Sequence, residues 1–388
     1  MRKNPLLYAT KRRKRKWRAD PLGKMRAARF LKRFSTTQVV MSSPRITKEA
    51  RASWLRLYET VDRIDRLSPW LWMEPASCFG VAVPDMEEPC FVLFGEPGRE
   101  MRAIRILLGW KAFYEMMTRL ADPAKQGVAW LLEIRMIEVL CAPEPLLFQH
   151  ERDFLRAIRR EPDGKGEWTI FRSIVPGYHP WLPDAKERKL LEDVLYQAFG
   201  MALRVEADPG MLRSRFPREI LIRTSDGKGG WRDVWSRVKE LSGEEIEVRI
   251  ESRRLQALAA KPTCPVTLQV DLLFTPFSIQ PGRERPQTAY VLLAVDAQSG
   301  LIHCGELFQA IGGIAAMWSE IPDRLIALFE RLGGCPDAIE VRGDRMANLM
   351  RPLTEFLPFK LVRREHLKML DEARVGLSAY LRNGEEEA

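Results

Sequence analysis

Val266-Thr267-Leu268-Gln269-Val270-Asp271-Leu272-Leu273-Phe274 decides the reading of this chain. Val266, Leu268, Val270 and Leu272 fall on one face of a strand, and Thr267, Gln269 and Asp271 fall on the other. Residues 289–295 (Ala-Tyr-Val-Leu-Leu-Ala-Val) are continuously apolar, the pattern of a central strand covered on both faces. A turn at 296–300 leads to a third strand at 301–308. A helix at 321–332 stops at Gly333-Gly334, followed by a strand at 338–341, a helix at 346–356, a strand at 359–362 and a helix at 365–380. Residues 262–388 therefore read as a mixed β-β-β-α-β-α-β-α domain.

Working outward, Ala52, Leu55, Val61, Ile64 and Leu67 recur at helical spacing until Ser68-Pro69 ends the run. Short strands are predicted at 70–73, 79–83, 90–94, 103–108 and 168–175, with a further apolar strand region at 130–140. Helices are predicted at 111–120, 150–160 and 183–205, the last with a cap at Pro183-Asp184. Residues 45–207 thus read as an α+β domain, with helices around an antiparallel sheet. Between the two domains, 208–261 reads as a hairpin and connector. Strands at 219–224 and 231–238 flank the turn Ser225-Asp226-Gly227-Lys228-Gly229-Gly230, and Trp231 and Trp235 share one face, expected in the core. The Gly-rich turn lacks the Gly-Lys-[Ser/Thr] and following helix of a phosphate loop.

The 388 residues include 62 basic and 52 acidic side chains, a net charge of +10. Residues 1–40 contribute +13, with fourteen Lys or Arg against Asp20 alone, so the remaining chain is at −3. The globular part is not a basic nucleic-acid binder. The arm, with six consecutive charges from Lys11 to Lys16, reads as a solvated, disordered tail. A phosphate-binding arm that holds nucleic acid, a nuclear localisation signal and an organelle transit peptide are further readings of the same residues. Against them stands an extension upstream of a natural start at Met41, because nothing in 1–40 is needed to complete a fold. No apolar run is long enough to cross a bilayer, and the chain shows no secretory signal, so no membrane association is expected. The six cysteines form no C-x-x-C pair and the four histidines no metal pair, which excludes the common zinc signatures and points to a reducing, cytoplasmic setting.

Three stretches carry a family resemblance: residues 171–181 (Phe-Arg-Ser-Ile-Val-Pro-Gly-Tyr-His-Pro-Trp), the region 70–80, and Arg285-Pro286 together with 291–296, Ser299-Gly300 and Leu370-Asp371-Glu372-Ala373. With these the chain resembles an uncharacterised bacterial family of two-domain hypothetical proteins built from domains of unknown function, from residue 45 to the end. That resemblance implies architecture and a bacterial setting but no activity. At fold level, residues 262–388 distantly resemble the ribonuclease H-like core of integrases and transposases. This implies acids on the first strand, after the fourth strand and on the closing helix, gathered around two divalent metals. The matching positions are Asp271, Asp344 and Asp371 or Glu372: Asp271, Asp344 and Glu372 as catalytic candidates, Asp271, Asp344 and Asp371 as metal ligands.

Each of these acids also has a plain reading. Asp344 suits a helix cap in a strand-to-helix turn, and Asp371 and Glu372 suit a solvated helix face. The segment 176–181 is the most unusual locally. Tyr178, His179 and Trp181, with Arg172, are candidates for a binding loop. The competing expectation is that Tyr178 and Trp181 pack onto the following helix. Two functions follow, and the sequence does not decide whether the chain is an enzyme. One is a non-catalytic interaction or accessory protein with a degenerate ribonuclease H-like domain and no cofactor. The alternative is a Mg²⁺- or Mn²⁺-dependent nuclease or integrase-like protein. A cluster of Arg342, Arg345, Arg351, Arg363, Arg364 and Lys368 offers the second reading a basic stripe.

Overall fold

The computed structural model describes residues 46–386 except 75–76, 97–98, 121–127, 215, 217, 227, 240–245, 247, 249 and 280–284. The basic arm lies outside the described residues. Among those residues, no helix is long and apolar enough to cross a membrane, and all six cysteines are free thiols.

The first helix, α1 (Lys48–Leu67), starts on Thr47, whose hydroxyl accepts from the Ala50 N–H at 3.2 Å, and ends on Ser68 in the left-handed region. Five strands then meander: β1 (Cys78–Ala82), β2 (Cys90–Glu96), β3 (Arg99–Leu108), β4 (Met136–Pro143) and β5 (Glu167–Ile174). Between them lie α2 (Gly109–Leu120) and α3 (Gln149–Ile158). The long α4 (Ala185–Ala207) opens with a capping box: Asp184 accepts from the Glu187 N–H at 2.9 Å and Glu187 from the Asp184 N–H at 3.0 Å. β6 (Glu219–Ser225) and β7 (Trp231–Arg237) complete a seven-stranded sheet in the order β5-β4-β3-β2-β1-β6-β7.

Both faces of this sheet are covered. Trp54, Leu57, Tyr58 and Ile64 of α1 and Leu191, Leu195 and Ala198 of α4 pack on Phe79, Phe94, Ile104 and Ile106. On the other side Trp110, Phe113 and Met116 of α2 close over Phe91, Leu93 and Leu107. Double coverage explains why β2 reads as an apolar run rather than an alternation.

The sheet expected to be antiparallel is mixed, because β6 runs parallel to β1. The hairpin assigned to a connector instead extends the first sheet: α4 carries the chain back across it, which is the crossover a parallel pair requires. β7 is then an edge strand, so Trp231 is partly buried against the core while Trp235, expected inside, is 39 % exposed. Residues 70–73 form no strand; Pro69–Leu71 is a 3₁₀ turn set by the proline. The 130–140 region divides into a 3₁₀ turn (Val128–Glu133) and β4.

The second domain begins with α5 (Ser252–Ala259), whose Leu255 and Leu258 enter its core. Its sheet has the order β10-β9-β8-β11-β12, from β8 (Cys264–Ile279), β9 (Gln287–Asp296), β10 (Ile302–Gln309), β11 (Pro336–Val341) and β12 (Lys360–Arg363). β8, β9 and β10 are antiparallel neighbours, while β11 runs parallel to β8 and β12 to β11. This mixed sheet matches the expected order of elements. α6 (Ile314–Ser319), unpredicted because it is only six residues long, α7 (Ile321–Leu332) and α8 (Asp344–Met350) join α5 on one face. α9 (Lys368–Glu386) covers the other, with Leu370 and Ala373, and Leu367 just before the helix, on Leu273, Leu293 and Val295.

Candidate functional site

The alternation of β8 sends Leu268 and Val270 to the α7 face and Gln269 and Asp271 toward α9. Gln269 fixes the start of α9: its side-chain oxygen accepts from the Leu370 N–H at 3.0 Å, and its amide donates to Glu340 at 3.0 Å. That tie sets Asp371, in the first turn of α9, near Asp271. Between the two carboxylates lies Arg342, from the loop after β11. Its Nη2 donates to Asp371 Oδ1 at 2.6 Å, and its Nε is 3.5 Å from Asp271 Oδ2. Burial pushes the Asp271 carboxyl up to about 6, although Arg342 acts in the opposite direction.

Of the four acids singled out in the sequence, the structure therefore brings Asp271 and Asp371 together, on a guanidinium. Asp344 pairs instead with Arg363 of β12, and Glu372 is exposed. Among the described residues no three His, Cys, Asp or Glu side chains are grouped to hold a metal ion. A permanently charged guanidinium between the two carboxylates that do meet does not fit a divalent pair. Four of the six residues of the basic stripe are similarly committed: Arg342, Arg345, Arg363 and Arg364 each pair with a carboxylate.

The second candidate, residues 171–181, is a junction between the domains. Ser173 and Trp181 exchange backbone hydrogen bonds at 2.7 and 3.1 Å, closing a loop after β5. The loop then docks on the start of β9. The His179 N–H donates to the Pro286 carbonyl at 2.8 Å, the Thr288 N–H donates to the Gly177 carbonyl at 3.0 Å, and Arg285 donates to the carbonyls of Ser173 and His179. Residues 177–179 thus continue the hydrogen bonding along β9 beyond Gln309, where β10 ends. Gly177 has φ +87°, and a Cβ there would stand 2.4 Å from the Ala310 Cβ. Only glycine fits. A second link joins the Arg345 guanidinium to Glu133 at 2.6 Å, 5.0 Å from the Trp318 ring centroid.

Trp181 stacks on His150 at 4.1 Å, and His179 meets Phe148 edge-on at 4.5 Å. His150 Nε2 and His179 Nδ1 are buried without hydrogen-bond partners. Burial, with Arg172 and Arg285 nearby, pushes the two imidazoles down to about 3 and about 4, so both are neutral. Arg172 donates to Glu151 at 2.7 and 3.0 Å and to the Leu146 carbonyl. The Ser173 hydroxyl donates to Glu187 rather than to an imidazole, so the cluster has no serine–histidine nucleophile. The sequence missed Arg285 and Arg342 as organising residues. A trace was present in Arg285-Pro286, but nothing local shows what an arginine pairs with across 112 positions.

Two family models match the chain. Residues 54–223 match a domain of unknown function (DUF7309), and residues 251–378 match a second domain of unknown function (DUF6930). The first match runs into β6, and the second opens at the residue preceding α5, in line with the hairpin's place in the first sheet. No curated protein and no solved structure matches the chain.

Proposed function

We propose that this chain is a non-catalytic interaction or accessory protein of the bacterial cytoplasm, whose C-terminal domain is a degenerate ribonuclease H-like module. The observation that carries this reading is Arg342. Its guanidinium lies between Asp271 and Asp371, supplying positive charge where an active member of such a fold would bring a cation. Three meandering antiparallel strands followed by two parallel ones reached through helices support the fold assignment. The −3 charge outside the arm and the pairing of the C-terminal arginines support a surface without grip on a nucleic-acid backbone. Free cysteines suit a reducing compartment.

The second reading is a divalent-metal nuclease, which requires Arg342 to give way between Asp271 and Asp371. Incubating the full chain with labelled single-stranded and duplex DNA and RNA, with Mg²⁺ or Mn²⁺, separates the two. The non-catalytic reading expects no metal-dependent cleavage. Cleavage that disappears in Asp271→Asn would establish the nuclease instead.

A further inference from the structure

A cavity of about 540 Å³ opens at one end of the first sheet, between the starts of β1 and β6, α2 and the C-terminal end of α4. That volume suits one small molecule. Its walls include Phe113, Met117 and Ile220, and burial raises the Cys78 thiol so that it stays neutral. Among the described residues, the charged groups lining the cavity are Glu74, Glu206 and Glu219 against Arg213. Arg213 reaches Glu74 only at 4.0 Å, with both side chains more than three-quarters exposed, so that pair is screened by water. Glu206 lies in the last turn of α4, where the helix dipole also favours a cation. Trp72, fixed by its indole N–H donating to the Leu67 carbonyl at 3.1 Å, adds an aromatic ring at the same cavity, and ammonium groups are attracted to such ring faces.

We propose that this cavity binds a small organic cation, a primary ammonium carried on an apolar aliphatic or aromatic body. The apolar walls take the body, and the carboxylates with the α4 terminus hold the ammonium. The test is calorimetric titration of the full chain at neutral pH and low ionic strength with 2-phenylethylammonium and with 3-phenylpropanoate, which share a body and differ in charge. The ammonium binds and the carboxylate binds at least about tenfold more weakly. Glu206→Gln with Glu219→Gln reduces that preference several-fold, and Met117→Trp, which fills the cavity, abolishes binding. A blocked Leu-Lys-Leu peptide presents the same ammonium on a polypeptide and binds more weakly than the free amine. Equal binding of the two small probes, no binding of the ammonium, an unchanged preference in the double variant, or tighter binding of the peptide overturns the proposal. The double variant keeps the test decisive if Met117→Trp does not fold.

Discussion

Replacing Gly177 with alanine adds one methyl group where the backbone leaves no room for it. The left-handed φ of +87° alone costs a non-glycine residue about 1–2 kcal/mol. The new Cβ would also stand 2.4 Å from the Ala310 Cβ, so the loop or the turn after β10 must retreat by about 1 Å to restore ordinary carbon contact. That retreat pulls the Gly177 carbonyl from the Thr288 N–H and strains the His179-to-Pro286 bond, each about 1 kcal/mol. Gly177→Ala therefore destabilises the docked molecule by about 3–4 kcal/mol. Urea unfolding followed by tryptophan fluorescence reads the loss, and hydrogen exchange at the Thr288 amide reports whether the junction itself opens. Gly164→Ala is the control, because nothing lies within 4 Å of its Cβ position, and it stays within about 1 kcal/mol of wild type. A Gly177→Ala protein as stable as that control, with Thr288 still protected, would refute the reasoning.

Three further outcomes are expected. Asp271, raised from 3.8 to about 6, holds a proton in the folded chain that the unfolded chain has released, so stability falls as pH rises between those values. Asp271→Asn removes that penalty and stabilises by up to about 3 kcal/mol at pH 7, with no gain below the unfolded pKa; equal melting gains at both pH values contradict it. His150 and His179 act in the opposite sense. The unfolded imidazoles protonate below about 6.5 while the folded ones stay neutral down to about 3 and about 4, so stability falls on acidification by about 1.4 kcal/mol per pH unit for each. His150→Phe makes that slope shallower in unfolding measured from pH 7 to pH 5, and an unaltered slope counts against the buried neutral pair. Gly200, inside α4 with nothing within 4 Å of a Cβ, gains up to about 1 kcal/mol on replacement by alanine, measured by thermal unfolding.

Residues whose neighbours in sequence are also their neighbours in space were readable. Val266 to Phe274, the apolar run 289–295 and the Pro183-Asp184 cap announce their elements because periodicity and capping are local. The parallel pairing of β1 with β6 is not local, so the hairpin's allegiance was invisible although the hairpin was not. Trp235 was misplaced for the same reason: a two-residue alternation shows that Trp231 and Trp235 share a face, but not that β7 stands at the edge of its sheet. At the candidate sites, residue types were legible and partners were not. Asp271 was visible as an acid on a strand, whereas the arginine beside it comes from another loop. The 176–181 segment stood out by composition, yet its role as a junction depends on Pro286, Thr288 and Ala310, each more than a hundred positions away.

The parallel seam in the first sheet also shapes how the chain must be made. Gly80 of β1 pairs with Ile222 of β6, 142 positions later, while β1 to β5 each find their partner in an adjacent strand. On a ribosome adding roughly 5–20 residues per second, β1 therefore waits roughly seven to thirty seconds with one edge unpaired. Such an edge can recruit the same strand from another nascent chain. A product released before residue 219 keeps that edge permanently open. It should accumulate as aggregate or be degraded, whereas one ending after the hairpin should stay dispersed.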